Sequence, residues 1–150
     1  MIFWIIAFSI LVIDQLTKHI VKAKMELSQS TPIIENVFHI TYVENPGAAF
    51  GILAHRTVFF IIITAVVGLA IIYFNSKLPK DKWLVKSALA MQLGGAVGNL
   101  IDRVNTGYVV DFLDFRIWPV FNIADIGIVV GVILLAILLW NDENVFITDK

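Results

Sequence analysis

Cysteine is absent from this sequence of 150 residues, and charged residues are few. The lack of cysteine excludes disulfides, thiolate metal sites and thiol nucleophiles. Charged residues make up 15% and the net charge is −1, so nothing favours a nucleic-acid partner or a polybasic membrane clamp. Hydrophobic residues make up 59%, which exceeds the share in an ordinary soluble domain. The composition is typical of an integral membrane protein, and we expect residues 1–150 to form a single domain.

Four apolar runs predict four transmembrane helices, at residues 2–21, 58–74, 83–101 and 121–140. Each run has about 17 to 20 residues, the length that crosses a hydrocarbon core. The first run lacks a basic start and a small-residue cleavage site, so it is not typical of a removable signal peptide. Four spans place both termini and the loop at 75–82 on one side, and the segments 22–57 and 102–120 on the other.

The short loop at 75–82 orients the predicted bundle. It contains Lys77, Lys80 and Lys82, and a dense group of cations in a short loop favours the cytoplasmic side. We therefore expect cytoplasmic termini. An aromatic belt then falls at that same interface, formed by Trp4, Tyr73, Trp83 and Trp140.

Segment 22–57 contains more than a simple loop. Residues 37–43 are rich in β-branched and aromatic side chains and predict a strand, and Asn45-Pro46-Gly47 predicts a turn. Residues 48–53 are small and apolar, which suggests a short helix on the membrane surface. The segment suits either a platform that receives an extended peptide by strand pairing or a lid. His39 and His55 are too isolated to predict a metal site.

Ionisable and amide side chains interrupt the apolar runs, although such groups are costly in lipid. Asp14 and Lys18 lie four residues apart on one helix face, which suits either a self-neutralising ion pair or the support of a site. Asn99, Asp102 and Arg103 also share one face, and an Asp102–Arg103 clamp is the structural alternative there. Gly94 and Gly98 predict the close approach of a neighbouring helix.

These polar residues converge when the four spans are folded against each other. The third helix runs outward and the fourth returns, so eight polar residues gather at the outer end of the bundle: Asp14, Lys18, Asn99, Asp102, Arg103, Asp111, Asn122 and Asp125. Scattered structural polar residues would have no reason to share one level of the membrane. The sequence therefore predicts a site at this end.

The chemistry of the site is narrowed by elimination. Ser9 has no ionisable residue near it in sequence, and Ser87 and Lys86 are adjacent helix residues that do not face each other. There is also no His-Glu-x-x-His zinc motif. Asp111 and Asp114 suggest a magnesium-binding pair, yet no glycine-rich phosphate cradle accompanies them. The remaining candidate is a pair of carboxyl groups that share a proton. One would take a proton from water while the other gives a proton to the carbonyl oxygen or the leaving amine. Spacing alone does not decide which two aspartates form the pair.

Five motifs in order along the chain resemble the lipoprotein signal peptidases, the signal peptidase II family of bacterial inner-membrane aspartyl proteases. The motifs are Asp14-Gln15-Leu16-Thr17-Lys18, Asn45-Pro46-Gly47-Ala48-Ala49-Phe50-Gly51, Gly94-Gly95-Ala96-Val97-Gly98-Asn99-Leu100-Ile101-Asp102-Arg103, Val109-Val110-Asp111-Phe112 and Phe121-Asn122-Ile123-Ala124-Asp125. The resemblance implies an all-α membrane protein with a bundle of four transmembrane helices, a small extracytoplasmic β-cradle and a short interfacial helix. Pro46, where the family often has threonine, and a short 111–125 segment depart from the family pattern.

The same resemblance implies roles for individual residues. Asp111 and Asp125 match the catalytic pair. Substrate binding or positioning is implied for Asn45, Gly47, Asn99, Arg103 and Asn122, and support of the pocket for Asp14, Lys18 and Asp102. The implied substrate is a prolipoprotein whose cysteine carries diacylglycerol, cut on the amino side of that cysteine. No metal and no organic cofactor is implied.

The resemblance also gives expectations about partners and place. We expect contact with membrane lipids, inhibition by a globomycin-type cyclic peptide, a monomer, and a bacterial inner membrane with the active site at its extracytoplasmic face. Two rival functions are a small proton-coupled transporter subunit and a non-enzymatic scaffold. A relay across the bilayer would favour the transporter, whereas here the polar residues gather at one end.

Overall fold

The computed structural model describes residues 1–47 and 56–141, and these form four long helices and three strands. The helices are α1 (Ile2–Lys24), α2 (Thr57–Lys77), α3 (Trp83–Thr106) and α4 (Ile123–Asn141), and the strands are β1 (Ser30–Ile34), β2 (Phe38–Asn45) and β3 (Val109–Asp114). Each helix is long and apolar enough to cross a membrane. This confirms the predicted fold class, a bundle of four membrane-spanning helices. The predicted short helix at 48–53 and His55 lie outside the described residues.

Helix α3 is the centre of the bundle, and it packs against α1, α2 and α4. Its glycines allow two close approaches: a Cβ on Gly94 would lie 2.5 Å from the Ala7 carbonyl oxygen of α1, and one on Gly95 would collide with the Ala124 carbonyl of α4. The predicted approach of a neighbouring helix at Gly94 is therefore present, and Gly95 adds a second one. Together they hold α1 and α4 closely against α3.

Helix α2 differs from α3 in composition and in packing. It carries no charged residue before Lys77, and within this helix only Ile71 is buried. Its exposed side chains are large and apolar, so α2 presents them to lipid rather than to water. The same apolar exposure recurs on α1 and α4, as expected of a multi-pass membrane protein.

The strands form one antiparallel sheet in the order β1-β2-β3. The predicted strand at 37–43 corresponds to β2, whereas β1 was not predicted. The register places Val43 opposite Asp111 and Asn45 opposite Val109, with an irregularity between Ile40 and Val43. This register brings the end of β2 beside the part of β3 that carries Asp111.

A small apolar core fastens the sheet to the helices. Val110 and Phe112 of β3 pack with Tyr42 of β2 and with Val21, in the last turn of α1. Burial of these side chains stabilises the sheet on the end of the bundle where α1 ends and α4 begins, at about 25 cal/mol per Å² of apolar surface. A second core, around Phe3, Ala7, Leu89 and Leu93, lies between the helices.

Candidate active site

The chain leaves α3 through a glycine turn that carries β3 back across the bundle. Gly107 has φ of 84°, in the left-handed region, and its N–H donates to the Arg103 carbonyl at 3.0 Å. The Val110 N–H then donates to Asp102 Oδ2 at 3.2 Å. The start of β3 is thereby fixed to the end of α3, and Asp111 follows one residue later.

A buried group of three charges, here named the ion cluster, joins α1 to α3. It consists of Asp14, Lys18 and Asp102, which are 0%, 2% and 9% exposed. Lys18 Nζ lies 2.9 Å from Asp14 Oδ2, 2.9 Å from Asp102 Oδ2 and 2.8 Å from Asn99 Oδ1. All three ammonium hydrogens therefore have acceptors. Asp102 pairs with Lys18, so the Asp102–Arg103 clamp considered from the sequence is not the arrangement formed.

Gln15 adds a neutral donor to the ion cluster, and sequence reasoning assigned it no role. Its Nε2 lies 3.2 Å from Asp14 Oδ2, 3.1 Å from Asp102 Oδ1 and 3.1 Å from the Gly98 carbonyl. It thus ties both carboxylates to the backbone of α3. Its place directly beside Asp14 in a helical polar motif was the signal available in the sequence.

The second oxygen of Asp14 holds the start of α4. Asp14 Oδ1 accepts a hydrogen bond from the Ala124 N–H at 2.9 Å. The first turn of a helix has unpaired N–H groups and a partial positive charge, so a buried carboxylate there satisfies both. The two interpretations of Asp14 and Lys18 thus combine, since the ion pair also holds the element that carries Asp125.

Asn122 and Asp125 bond to each other at the same helix start. The Asp125 N–H donates to Asn122 Oδ1 at 2.9 Å, and the Asn122 N–H donates to Asp125 Oδ2 at 3.2 Å. This reciprocal arrangement is a capping box with amide and carboxylate side chains. Because a backbone N–H occupies Asn122 Oδ1, the NH2 group of Asn122 must point the other way.

Asp111 lies where the NH2 groups of two asparagines point. Asn122 Nδ2 donates to Asp111 Oδ1 at 2.7 Å, and Asn45 Nδ2 donates to Asp111 Oδ2 at 2.9 Å. The Gly47 N–H donates to Asn45 Oδ1 at 2.9 Å, which fixes the orientation of that amide too. The turn predicted at 45–47 therefore aims Asn45 at Asp111.

Asn99 provides the corresponding contact for Asp125. Asn99 Nδ2 donates to Asp125 Oδ1 at 2.8 Å, while Asn99 Oδ1 accepts from Lys18 and, at 3.1 Å, from Asn122 Nδ2. Asp111 and Asp125, here named the carboxyl pair, are thus connected through Asn99 and Asn122. Each of the four carboxyl oxygens accepts a hydrogen bond from an amide or backbone N–H.

Burial and, to a smaller extent, the negative charge of Asp125 raise the pKa of Asp111 to about 7. The hydrogen bonds from Asn45 and Asn122 act in the opposite direction. Asp111 is 2% exposed, whereas Asp125 is half-buried. A carboxyl group with such a pKa keeps a proton near neutral pH, and this is what general acid catalysis requires.

One cavity of about 370 Å³ has both members of the carboxyl pair in its wall. Asn45, Gly47, Asn99 and Arg103 also line it. Residues 118–121 of the connection between β3 and α4 contribute further to the wall, and the sequence analysis assigned them no role in the site. A neighbouring apolar hollow of about 530 Å³ shares Trp118, Phe121 and Asp125 with this cavity. The carboxyl pair therefore faces a space large enough for a peptide segment, next to an apolar surface.

Arg103 connects α3 to the turn at 45–47. Its NH2 donates to the Gly47 carbonyl at 2.9 Å, and its guanidinium lies 4.7 Å from the centre of the Phe60 ring of α2. A guanidinium over an aromatic face is held by the cation–π attraction. Arg103 thus positions the turn that carries Asn45, and it also lies in the cavity wall.

Asp114 lies apart from the carboxyl pair. It accepts hydrogen bonds from Thr41 Oγ1 at 2.7 Å and from the Arg116 side chain at 3.0 Å. Within residues 1–47 and 56–141, no group of three histidines, aspartates or glutamates is arranged to hold a metal ion. Gln92 of α3 donates to the Ala88 carbonyl of its own helix at 3.3 Å.

Comparisons with known proteins agree with this arrangement. The family model for signal peptidase (SPase) II matches residues 6–141. A lipoprotein signal peptidase of Moorella thermoacetica is 52% identical over 133 residues, which cover 89% of each chain. One of Caldanaerobacter subterraneus is 54% identical over 136 residues, which cover 90% of this chain and 92% of that one.

A solved structure described as a bacterial membrane enzyme has the same fold. It matches with a TM-score of 0.88 at 39% sequence identity, over 97% of this chain and 91% of that chain. The family match spans far more than half of the sequence, and the relatives are similar along nearly their whole length. The chain therefore belongs to the signal peptidase II family, which confirms the fold class and the peptidase activity that its motifs predicted.

Proposed function

We propose that this peptidase removes signal peptides from diacylglyceryl-modified prolipoproteins by cutting on the amino side of the lipidated cysteine, with Asp111 and Asp125 as catalytic residues. The observation that supports this most strongly is the shared cavity of about 370 Å³, in whose wall both carboxyl groups lie. Two carboxyl groups in such a place supply both proton transfers of peptide hydrolysis. The mechanism then requires neither a metal nor an organic cofactor.

The two carboxyl groups take different roles in this proposal. Asp125 accepts a proton from water as the water oxygen bonds to the carbonyl carbon, while Asp111 gives its proton to the carbonyl oxygen. The resulting tetrahedral intermediate collapses when the proton held by Asp125 passes to the leaving nitrogen and a hydroxyl proton returns to Asp111. The raised pKa of Asp111, about 7, supports its role as the group that is protonated at the start.

Neighbouring side chains position the substrate and the carboxyl pair. Asn45, Asn99 and Asn122 hold the two carboxyl groups, and Gly47, Arg103 and residues 118–121 line the cavity that receives the substrate. The ion cluster of Asp14, Lys18 and Asp102 supports this arrangement from behind. The apolar hollow beside Asp125 provides surface against which a lipidated substrate can lie at the membrane.

The proposal includes a place and a state for the protein. The enzyme is a monomer in the bacterial inner membrane, with both termini in the cytoplasm and the site at the extracytoplasmic face. Lys77, Lys80 and Lys82 near the α2–α3 connection support this orientation, since cations collect on the cytoplasmic side. Trp4, Tyr73, Trp83 and Trp140 lie at the opposite end of the bundle from the site and suit the cytoplasmic interface. A globomycin-type cyclic peptide is expected to occupy the cavity.

The deciding experiment is cleavage of a diacylglyceryl-modified prolipoprotein by the purified protein in lipid, with a chelator present. Wild type is compared with Asp111→Asn, Asp125→Asn and Asp102→Asn. We expect cleavage by wild type, with rates lower by about 10⁴-fold or more in the first two variants, since each removes one proton transfer. Asp102→Asn should retain measurable cleavage, because Asp102 lies outside the carboxyl pair.

Thermal unfolding and globomycin binding serve as the controls. Asp111→Asn and Asp125→Asn should unfold near the wild-type temperature and keep the inhibitor site. Full cleavage by either variant would remove that residue from the catalytic pair. Loss of wild-type cleavage in the chelator would overturn the metal-free mechanism.

A further inference from the structure

The ammonium group of Lys18 reaches the carboxyl pair through a single side chain. Lys18 Nζ lies 2.8 Å from Asn99 Oδ1, and Asn99 Nδ2 lies 2.8 Å from Asp125 Oδ1. An ammonium group carries hydrogen-bond donors and no acceptor, so the oxygen of the Asn99 amide must face it. The NH2 group must then face Asp125. The cation therefore determines which end of the amide Asp125 meets.

Asn122 also donates to Asn99 Oδ1, but it holds that oxygen less strongly. Asn122 Nδ2 lies 3.1 Å from Asn99 Oδ1, 3.2 Å from the Val110 carbonyl and 2.7 Å from Asp111 Oδ1. Its two hydrogens cannot serve three acceptors equally, and the shortest of these distances is to Asp111. A hydrogen bond from a charged donor is about twice as strong as one between neutral groups. Lys18 is thus the main control on the Asn99 amide.

The orientation of Asn99 affects the protonation of Asp125. Asp125 Oδ1 accepts from Asn99 Nδ2, and Asp125 Oδ2 accepts from the Asn122 backbone N–H at 3.2 Å. A proton on Asp125 that pointed along either hydrogen bond would meet the hydrogen of an N–H donor, which is unfavourable. If Asn99 rotated its amide, its oxygen would instead face Asp125 and favour the protonated acid. Both observed donors favour the ionised form of Asp125.

The charges around Asp125 come from three elements. Helix α1 supplies Asp14 and Lys18, α3 supplies Arg103, and β3 supplies Asp111. The cations Lys18 and Arg103 attract an ionised Asp125, whereas Asp14 and Asp111 repel it. Among these groups only Lys18 contacts a side chain that itself donates to Asp125.

We propose that Lys18 is a positioning residue for hydrolysis, which orients the Asn99 amide so that Asp125 stays the proton-accepting member of the carboxyl pair. This inference rests on the proposed function, because it assigns Lys18 an effect on the catalytic step. Lys18 does not touch the substrate cavity in this scheme, and it acts through Asn99. Its effect is therefore on kcat rather than on KM.

A purely structural role for Lys18 makes different predictions. In that case the cation would only neutralise Asp14 and Asp102, and its loss would be corrected by removing one of these negative charges. The double variant Lys18→Met/Asp102→Asn restores the charge balance while leaving Asn99 without its cation. It separates the two roles even if Lys18→Met alone fails to fold.

The experiment measures kcat and KM for the lipidated prolipoprotein in wild type, Lys18→Met, Asn99→Ala, Lys18→Met/Asn99→Ala and Lys18→Met/Asp102→Asn. Lys22→Met is the control, since Lys22 lies one turn further along α1 and is exposed. We expect Lys18→Met to lower kcat by about 100-fold, which is the lower end of the rate enhancement that a positioned general base provides. KM should change by less than about threefold, because ground-state binding is intact.

The double variants give the decisive results. Lys18→Met/Asn99→Ala should match Asn99→Ala in kcat, because effects that pass through one residue are not additive. Lys18→Met/Asp102→Asn should unfold near the wild-type temperature yet keep the low kcat. The inference would be overturned if the two kcat effects multiplied in Lys18→Met/Asn99→Ala. It would also be overturned if kcat returned to the wild-type value in Lys18→Met/Asp102→Asn.

The proposed function can fail separately from this inference. Full cleavage by Asp111→Asn or Asp125→Asn would refute the catalytic pair whatever Lys18 does. If those variants are inactive and the charge-balanced variant cleaves at the wild-type rate, only the role of Lys18 is refuted. Lys22→Met should match wild type in every measurement.

Discussion

Two groups of aspartates lie on either side of Asn99, and they differ in what they contact. In the ion cluster, Asp14 and Asp102 both lie 2.9 Å from Lys18. In the carboxyl pair, Asp111 and Asp125 accept hydrogen bonds only from amide groups among the described residues. Carboxylates held by a cation fasten helices together, whereas carboxyl groups held by amides can still exchange protons. Aspartate therefore holds helices together in the ion cluster, whereas the proposed function uses it for proton transfer in the carboxyl pair.

The energetic reason for this difference is desolvation. A buried charge costs several kcal/mol unless a partner compensates, and removal of one partner leaves the other uncompensated. In the ion cluster, the opposite charge of Lys18 offsets the desolvation penalty of the two carboxylates. In the carboxyl pair, burial raises the pKa of Asp111 to about 7, so that this group can stay neutral and avoid the penalty.

The largest effect that would sharpen this comparison is expected for Asp14→Ala. It leaves Lys18 with one carboxylate and removes the acceptor of the Ala124 N–H. We expect a loss of about 3 to 5 kcal/mol in the free energy of unfolding, as for other broken buried pairs. Unfolding by SDS in mixed micelles measures it.

Asp114→Ala is the matched control for that prediction. Asp114 is also buried, but its cationic partner Arg116 is about half exposed and lies just beyond the end of β3. The expected loss is about 1 kcal/mol, since partly exposed pairs contribute little. Equal losses in the two variants would mean that the ion cluster has no special part in stability.

The next largest effect concerns the pH dependence of stability. The pKa of Asp111 is about 7 in the folded protein and near 3.8 when the group is free, so the folded state retains a proton that the unfolded chain releases. Stability from this group is therefore greatest at low pH and declines as pH rises from about 4 to 7. We expect wild type to lose about 3 kcal/mol over this range through Asp111.

Asp111→Asn is the comparison for the pH experiment. Asparagine does not titrate, so the free energy of unfolding should vary less between pH 4 and 8 than in wild type. Chemical unfolding at several pH values measures the difference. An identical pH dependence in both proteins would show that burial does not raise the pKa of Asp111.

The smallest expected effect belongs to Arg103→Lys. Lysine keeps the charge but cannot reproduce both the hydrogen bond to the Gly47 carbonyl and the stacking on Phe60. We expect about a tenfold fall in kcat/KM, since about 1.4 kcal/mol of positioning is lost. Cleavage kinetics test this, with Lys22→Arg as the control for an exposed cation exchange on α1. Unchanged kinetics would limit Arg103 to a structural role.

Much of the architecture follows from patterns in the sequence. The apolar runs gave four helices, and the placement of polar residues within them predicted that they meet at one end of the bundle. Burial at that end is confirmed for Asp14, Lys18, Asn99 and Asn122. This worked because lipid strongly penalises misplaced polar groups, which makes their positions informative.

Other features depend on three-dimensional contacts that spacing does not encode. Strand β1 is exposed along its whole length, so it has no alternation of apolar and polar residues to reveal it. The partner of Asp102 is Lys18, 84 positions away, rather than its neighbour Arg103. Helix rotation and the approach at Gly94 and Gly95 determine that choice, and neither can be read from residue spacing.

The contact between Asp14 and the Ala124 N–H spans 110 positions of the chain. A ribosome makes α1 well before the segment that carries Ala124 and Asp125. Until that segment enters the bilayer, Asp14 lacks the backbone group that it binds in the finished protein. A chain in which α4 has not yet been inserted therefore lacks both this contact and one member of the carboxyl pair proposed as catalytic.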